Sequence, residues 1–312
     1  MNIWENISKP IQNIGCLALE AMLLEANCAP APGLVDRFNS GAHNDMDIYT
    51  FIKSSVALSP YMYNFAYMGY MHKGALDTLL AFIRPLGIEA EAAMFKATKG
   101  VNTQKGLIFL MGILCAAAGY VYRKYNIIKS TLVFDAVKIM CQGLVAKELG
   151  KLPNDRKLTS GERLYHQYGI RGIRGELEDG LPIIKDIALP AYKKAITLGA
   201  TDDTLLIYTL LSIMTATEDT TIINRHNMET LARVQREAKA LLESNQVLES
   251  GGFEEIKKLD KKFIEQWISP GGSADLLAAT HFLYSLDEKY GSLTFMDETI
   301  KTGSPTCIAI KD

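Results

Sequence analysis

Residues 106–122, GLIFLMGILCAAAGYVY, carry no charged side chain. A run of this length stands at the lower limit for crossing a bilayer, roughly 17–25 residues, and it is rich in Gly and Ala. We read it as a helix buried in a protein core. In both directions from it the chain repeats one pattern, an apolar helix followed by a short knot of Gly, Asp, Arg or Ser. The knots are irregularly spaced, which excludes a solenoid repeat. Strand patterning is nearly absent, so the expected fold is all-α: a single large helical bundle with its polar loops gathered at one cleft.

Immediately before the buried run, residues 99–106 read KGVNTQKG. A Walker A loop needs Gly, four residues, then Gly-Lys-Ser/Thr; here the lysine precedes the second glycine, so the motif is absent. Backbone N–H groups at the helix start, with Lys99 or Lys105, can still receive an anion. Further back, residues 78–82 and 89–99 predict helices flanking a Pro85-Leu86-Gly87 turn, and residues 48–73 predict two helices with a kink or joint at Pro60. The Met and aromatic stripe at 61–71 reads as core. Residues 11–26 predict an amphipathic helix with Ile14, Leu17, Ala18, Ala21 and Leu24 on its apolar side and Glu20 and Glu25 elsewhere on the wheel.

Between those helical regions lies the densest knot, residues 32–47, PGLVDRFNSGAHNDMD. Its Pro-Gly and Ser-Gly steps suit a shaped loop, and Asp36, Arg37, His43, Asp45 and Asp47 offer the groups used in phosphate, metal and proton chemistry. A surface turn whose Asp and Asn side chains cap the next helix is the plainer alternative.

On the other side, residues 121–149 read as helix, and the turn that follows marks a boundary or hinge near 150–158. Residues 159–163 look like a helix cap, and residues 168–176, YGIRGIRGE, like a glycine-rich loop outside the dinucleotide pattern. Helices are expected over 183–200 and 202–217, with Asp202 and Asp203 capping the second. Glu218 and Asp219 end an apolar helix and lead to Arg225. Two charged amphipathic helices, 228–244 and 253–267, sit outside, and SPGGSAD, 269–275, opens a last apolar helix. The expected organisation is an all-α catalytic domain over 1–290 with a C-terminal appendage at 291–312.

The chain has 312 residues, a formal net charge of -2 and 22% charged side chains. No basic stripe is present, which argues against nucleic-acid binding. Five scattered cysteines read as reduced core thiols. No signal peptide is apparent and no membrane span is assigned, so a cytoplasmic enzyme is expected.

In order, PGLVDRFNSGAHNDMD, GVNTQKG, IRGE, EDTTIINR and SPGGSADLLA resemble the triphosphoribosyl-dephospho-CoA synthase family of the citrate lyase and malonate decarboxylase systems. The likeness runs over about residues 19–283; the first and last motifs are specific. It implies transfer of the 5-triphosphoribosyl group of ATP to 3-dephospho-CoA with release of adenine, making a carrier-protein prosthetic-group precursor. Two positions depart from the family pattern: Ala31 where a lysine is expected and Gln104 where a histidine is expected.

On that resemblance, inversion at the ribose calls for a base, Asp45 or Glu176, with His43 as donor toward adenine. Mg²⁺ enters with ATP through Asp47, Asp203, Asp219 and Asp275, and the substrates are held by Arg37, Asn102, Lys105, Arg174, Arg225, Gly271, Gly272 and Ser273. The residues alone leave two rivals open: a phosphoryl or nucleotidyl transferase using MgATP, and a non-catalytic nucleotide-binding helical protein. They also leave the oligomeric state open, a homo-oligomer included.

Overall fold

A computed structural model describes residues 9–151, 156–244, 247 and 252–292. Among these residues there is no strand; the chain is all-α, with fourteen α-helices. The first four are α1 (Lys9–Asn27), α2 (Ile48–Met71), α3 (Leu79–Ala97) and α4 (Lys105–Tyr125). Five shorter ones follow: α5 (Ser130–Met140), α6 (Leu144–Leu149), α7 (Ser160–Tyr168), α8 (Gly172–Asp179) and α9 (Leu189–Thr197). The last five are α10 (Asp202–Met214), α11 (Thr220–Arg225), α12 (Met228–Glu243), α13 (Gly252–Glu265) and α14 (Gly271–Tyr290).

The uncharged run forms most of α4, which packs against α1, α2, α3, α5 and α14. Its apolarity is therefore used inside the protein. Two of its features come from contact with α2. A Cβ on Gly119 would lie 2.0 Å from the Ala66 carbonyl oxygen, and one on Gly69 of α2 would lie 1.9 Å from that of Ala116. Only glycines let the two backbones meet this closely. One buried apolar cluster extends from Ile11 in α1 to Leu286 in α14.

Three local expectations are corrected. Pro60 and Pro85 lie inside α2 and α3, which continue through them, and Pro85-Leu86-Gly87 is helical. A proline frees the carbonyl four residues earlier. Here those belong to Val56 and Ala81, both exposed like the prolines themselves, so water can satisfy them. Residues 121–149 are three helices; Asn126 ends α4 in the left-handed region, at φ 55°. Residues 172–176 belong to α8 and are not a loop. A capping box between Thr159 and Glu162 does open α7. The hinge turn at 152–155 and the appendage from 293 onward lie outside the described residues.

Candidate active site

The 32–47 knot is held by two buried aspartates. Asp36 accepts the backbone N–H groups of Ala31 (3.2 Å), Phe38 (2.7 Å) and Asn39 (2.9 Å), folding the segment on itself. Asp260 of α13 accepts from Gly33 N–H at 2.9 Å and from the Asn39 amide at 3.2 Å, tying the loop to the far end of the chain. Gly33 has φ 71°, and a Cβ there would stand 2.0 Å from the Ile268 carbonyl oxygen. The loop thus seats directly on the α13–α14 connection. Ala31, one of the two family departures, is buried beneath it.

This seating places the His43 ring 3.0 Å from Ser269 Oγ, with Arg225 Nη2 3.2 Å from Nδ1 and Asp45 3.8 Å away. Arg225 also donates to the Ala42 carbonyl at 2.9 Å. Burial, and then the Arg225 charge, push the His43 pKa down to about 4, against the pull of Asp45. The ring is therefore neutral near pH 7. It can donate or accept a hydrogen bond, but it does not arrive as a charged acid.

Asp219 has a different role from the expected metal ligand. It is buried, and its Oδ1 accepts from Thr221 N–H (3.0 Å) and Ile222 N–H (3.4 Å) at the start of α11. Its Oδ2 accepts from Ser273 N–H (2.8 Å) and Ser273 Oγ–H (3.0 Å) in the first turn of α14. One carboxylate thus joins two helix starts, where the dipoles favour negative charge. Helix α14 begins at Gly271, so the N–H of Ser273 is taken by Asp219 rather than offered to a phosphate. A Cβ on Gly272 would approach that carboxylate to 3.1 Å.

These segments enclose a cavity of about 770 Å³ whose walls include His43, Asp45, Asn102, Lys105, Glu176, Arg225, Gly271, Gly272 and Asp275. Its volume suits a small-molecule site. Burial raises the Glu176 pKa to about 7, although the carboxylate accepts from Ile183 N–H at 3.1 Å. Deeper in the wall lie Asp275 and Glu25. Burial pushes Asp275 well above the usual carboxylate range, and the charges of Glu25 and Asp219 add to this; burial alone takes Glu25 to about 7. Sequence reading missed Glu25 by setting it off the apolar side of α1. It follows Ala18 and Ala21 by seven and four residues, on the same stripe, and is only 8% exposed. A carboxylate on a buried stripe is the signal that identifies it. Arg171, also missed, lines the cavity and pairs with Asp179.

Other expected site residues do not line this cavity. Arg37 and Asp203 pair with each other, and Asp203 also accepts from Ala29 N–H at 3.1 Å; the pair ties the loop to α10. Asp47 caps α2, accepting from Thr50 N–H at 2.8 Å and from its hydroxyl at 2.7 Å. Arg174 holds Glu148 at 2.6 Å on the far side of α8. Each of these charges is satisfied within the protein. Of those in the wall, Asn102 accepts from Lys105 N–H at 3.2 Å, and the Lys105 ammonium reaches Glu91 at 2.5 Å. Gln104, the second departure, turns its side chain to Ser54 (2.8 Å) and Ser55 of α2.

The enclosed motifs can be compared with known proteins. The model of the family described as ATP:dephospho-CoA triphosphoribosyl transferase matches residues 11–294. A probable 2-(5''-triphosphoribosyl)-3'-dephosphocoenzyme-A synthase of Vibrio cholerae is 42% identical over 274 residues, covering 88% of each chain. A probable synthase of the same name from Malonomonas rubra is 40% identical over 278 residues, 88% of each chain. The synthase of Pectobacterium atrosepticum is 42% identical over 267 residues, covering 85% of this chain and 86% of its own. No solved structure matches. With the family model covering nearly all the described helices and relatives aligned across the same span, the chain belongs to the ATP:dephospho-CoA triphosphoribosyl transferase family.

Proposed function

We infer that this protein transfers the 5-triphosphoribosyl group of ATP to the ribose 2-hydroxyl of 3-dephospho-CoA and releases adenine. The observation that carries the reading is that five sequence motifs, far apart in the chain, all contribute to the wall of one cavity. Family membership supplies the reaction class. In it, the bond between the ribose C1 and adenine breaks, a bond from C1 to the acceptor oxygen forms, the hydroxyl proton goes to a base and adenine takes up a proton.

Glu176 is the base. It faces the cavity, and a pKa of about 7 lets it be ionised in working conditions and still hold a proton after attack. Asp45, exposed at the rim beside His43, supports the positive charge that develops on the ribose. Neutral His43, fixed between Ser269 and Arg225, offers a hydrogen bond to the leaving base. Lys105 in the first turn of α4, with Arg225 opposite, receives the triphosphate.

Among the described residues no three His, Cys, Asp or Glu side chains form a ready-made metal centre. That fits Mg²⁺ arriving with the nucleotide, since this ion keeps much of its water and commonly takes one or two protein carboxylates plus phosphates. Asp275 and Glu25, in the wall and with no side-chain hydrogen bond among the described residues, are the residues that fit it. When bound it neutralises triphosphate charge. A cytoplasmic location suits a consumer of ATP and a coenzyme A precursor.

The test is product analysis. Incubation with MgATP and dephospho-CoA is expected to release adenine in step with loss of dephospho-CoA, followed by chromatography. ADP or pyrophosphate as the only new nucleotide product overturns the reading in favour of phosphoryl or nucleotidyl transfer.

A further inference from the structure

A second cavity, of about 340 Å³, lies beside the first between α3 and α4. Lys105, Gly106 and Ile173 line both, so the first turn of α4 and one residue of α8 form the ridge between them. Beyond the ridge the walls are mainly apolar, including Phe65, Ile83, Ile108, Phe109 and Ile113. The charged groups there are paired with one another. Glu148 lies between Arg84 and Arg174, and Glu91 holds Lys105. A triphosphate entering this chamber would meet two carboxylates already in place and cations already engaged. The chamber suits a narrow, uncharged, largely aliphatic chain with a few amide groups.

The acceptor named in the family's description, dephospho-CoA, contains such a chain. Dephospho-CoA joins an adenosine through a diphosphate to a neutral pantetheine arm, whereas ATP has no apolar tail. We propose that the second cavity is the subsite for the pantetheine arm of the acceptor, whose diphosphate crosses the ridge at the first turn of α4. This rests on the transfer reading above, because it needs dephospho-CoA as a substrate. It also orders the two nucleotides: the arm lies across the ridge, and the larger cavity holds ATP together with the acceptor's adenosine, whose ribose 2-hydroxyl meets Glu176 there.

Gly87 of α3 lines only the second cavity, and a Cβ there would meet nothing within 4 Å, so a larger side chain is tolerated by the fold. Calorimetric titration of Gly87→Trp is expected to show at least tenfold weaker binding of dephospho-CoA and unchanged binding of MgATP, with circular dichroism as in the wild type. A second measurement needs no substitution: 4′-phosphopantetheine is expected to compete with dephospho-CoA and not with ATP in the wild type, and to lose at least tenfold in affinity in Gly87→Trp. Wild-type affinity of the variant for both dephospho-CoA and 4′-phosphopantetheine overturns the proposal, as does competition of 4′-phosphopantetheine with ATP instead. Binding is read without turnover. Failure of the transfer reading would appear separately, as absence of adenine release by the wild-type protein.

Discussion

At the scale of single residues, the acids of this chain divide by what already occupies their oxygens. Asp47 and Asp219 are both bound to helix starts, so their loss should be felt in stability, but unequally. Asp47→Ala removes an exposed cap and is expected to cost about 1 kcal/mol with activity retained, measured by denaturant titration and adenine release. Asp219→Ala strips acceptors from two buried helix starts at once and is expected to cost more, about 3 kcal/mol or above, with activity falling alongside the melting temperature. Glu176 is the contrary case. Its folded pKa, about 7, is above the ordinary glutamate value of 4.5, so the native state holds a proton that the unfolded chain has lost in that range, and this contribution to stability disappears as pH rises from 4.5 through 7. Glu176→Gln is therefore expected to be more stable relative to wild type at pH 8 than at pH 5. It should also lose roughly a hundredfold or more in kcat, and with it the rising limb near pH 7 in kcat/KM.

At the scale of elements, the departures from expectation concern prolines and glycines. Pro60 and Pro85 are strong breakers in isolation, yet α2 and α3 run through them, because packing supports both helices and the residues carrying the freed carbonyls, Val56 and Ala81, are exposed. Gly87 is in the interior of α3 with open space around its Cβ position. Gly87→Ala should accordingly stabilise the protein by about 0.5–1 kcal/mol, visible as a higher denaturation midpoint with an unchanged slope. The glycines of the α2–α4 contact would respond in the opposite way, since each Cβ would collide with a carbonyl of the facing helix.

At the scale of the whole molecule, the cavity exists only when the chain is folded, because its walls come from α1, the 32–47 loop, α4, α8, α11 and α14. Ligands of the cavity should then bind the native state alone. MgATP at about a hundred times its Kd is expected to add about 2.7 kcal/mol to stability, read as a rise in Tm, and chelation of Mg²⁺ should reduce the rise. An equal shift with and without the metal would remove Glu25 and Asp275 as its holders.

The sequence by itself determined the helical class, the burial of residues 106–122 and the membership suggested by the ordered motifs, because periodicity and turn chemistry are local and can be read along the chain. It also singled out His43, Lys105, Glu176, Arg225 and Asp275, which the fold brings to one wall. What only tertiary structure decided is which polar group remains free to act. Asp47, Asp203 and Asp219 look equivalent to Asp275 in a list of acids, but a helix cap, an arginine and two distant helix starts engage them. Glu25 looked like an ordinary surface acid until α1 was packed with its carboxylate turned inward. Hydrogen-bond capacity is spent on neighbours far away in sequence, and desolvation depends on the complete packing around a group, so neither can be read from the chain alone.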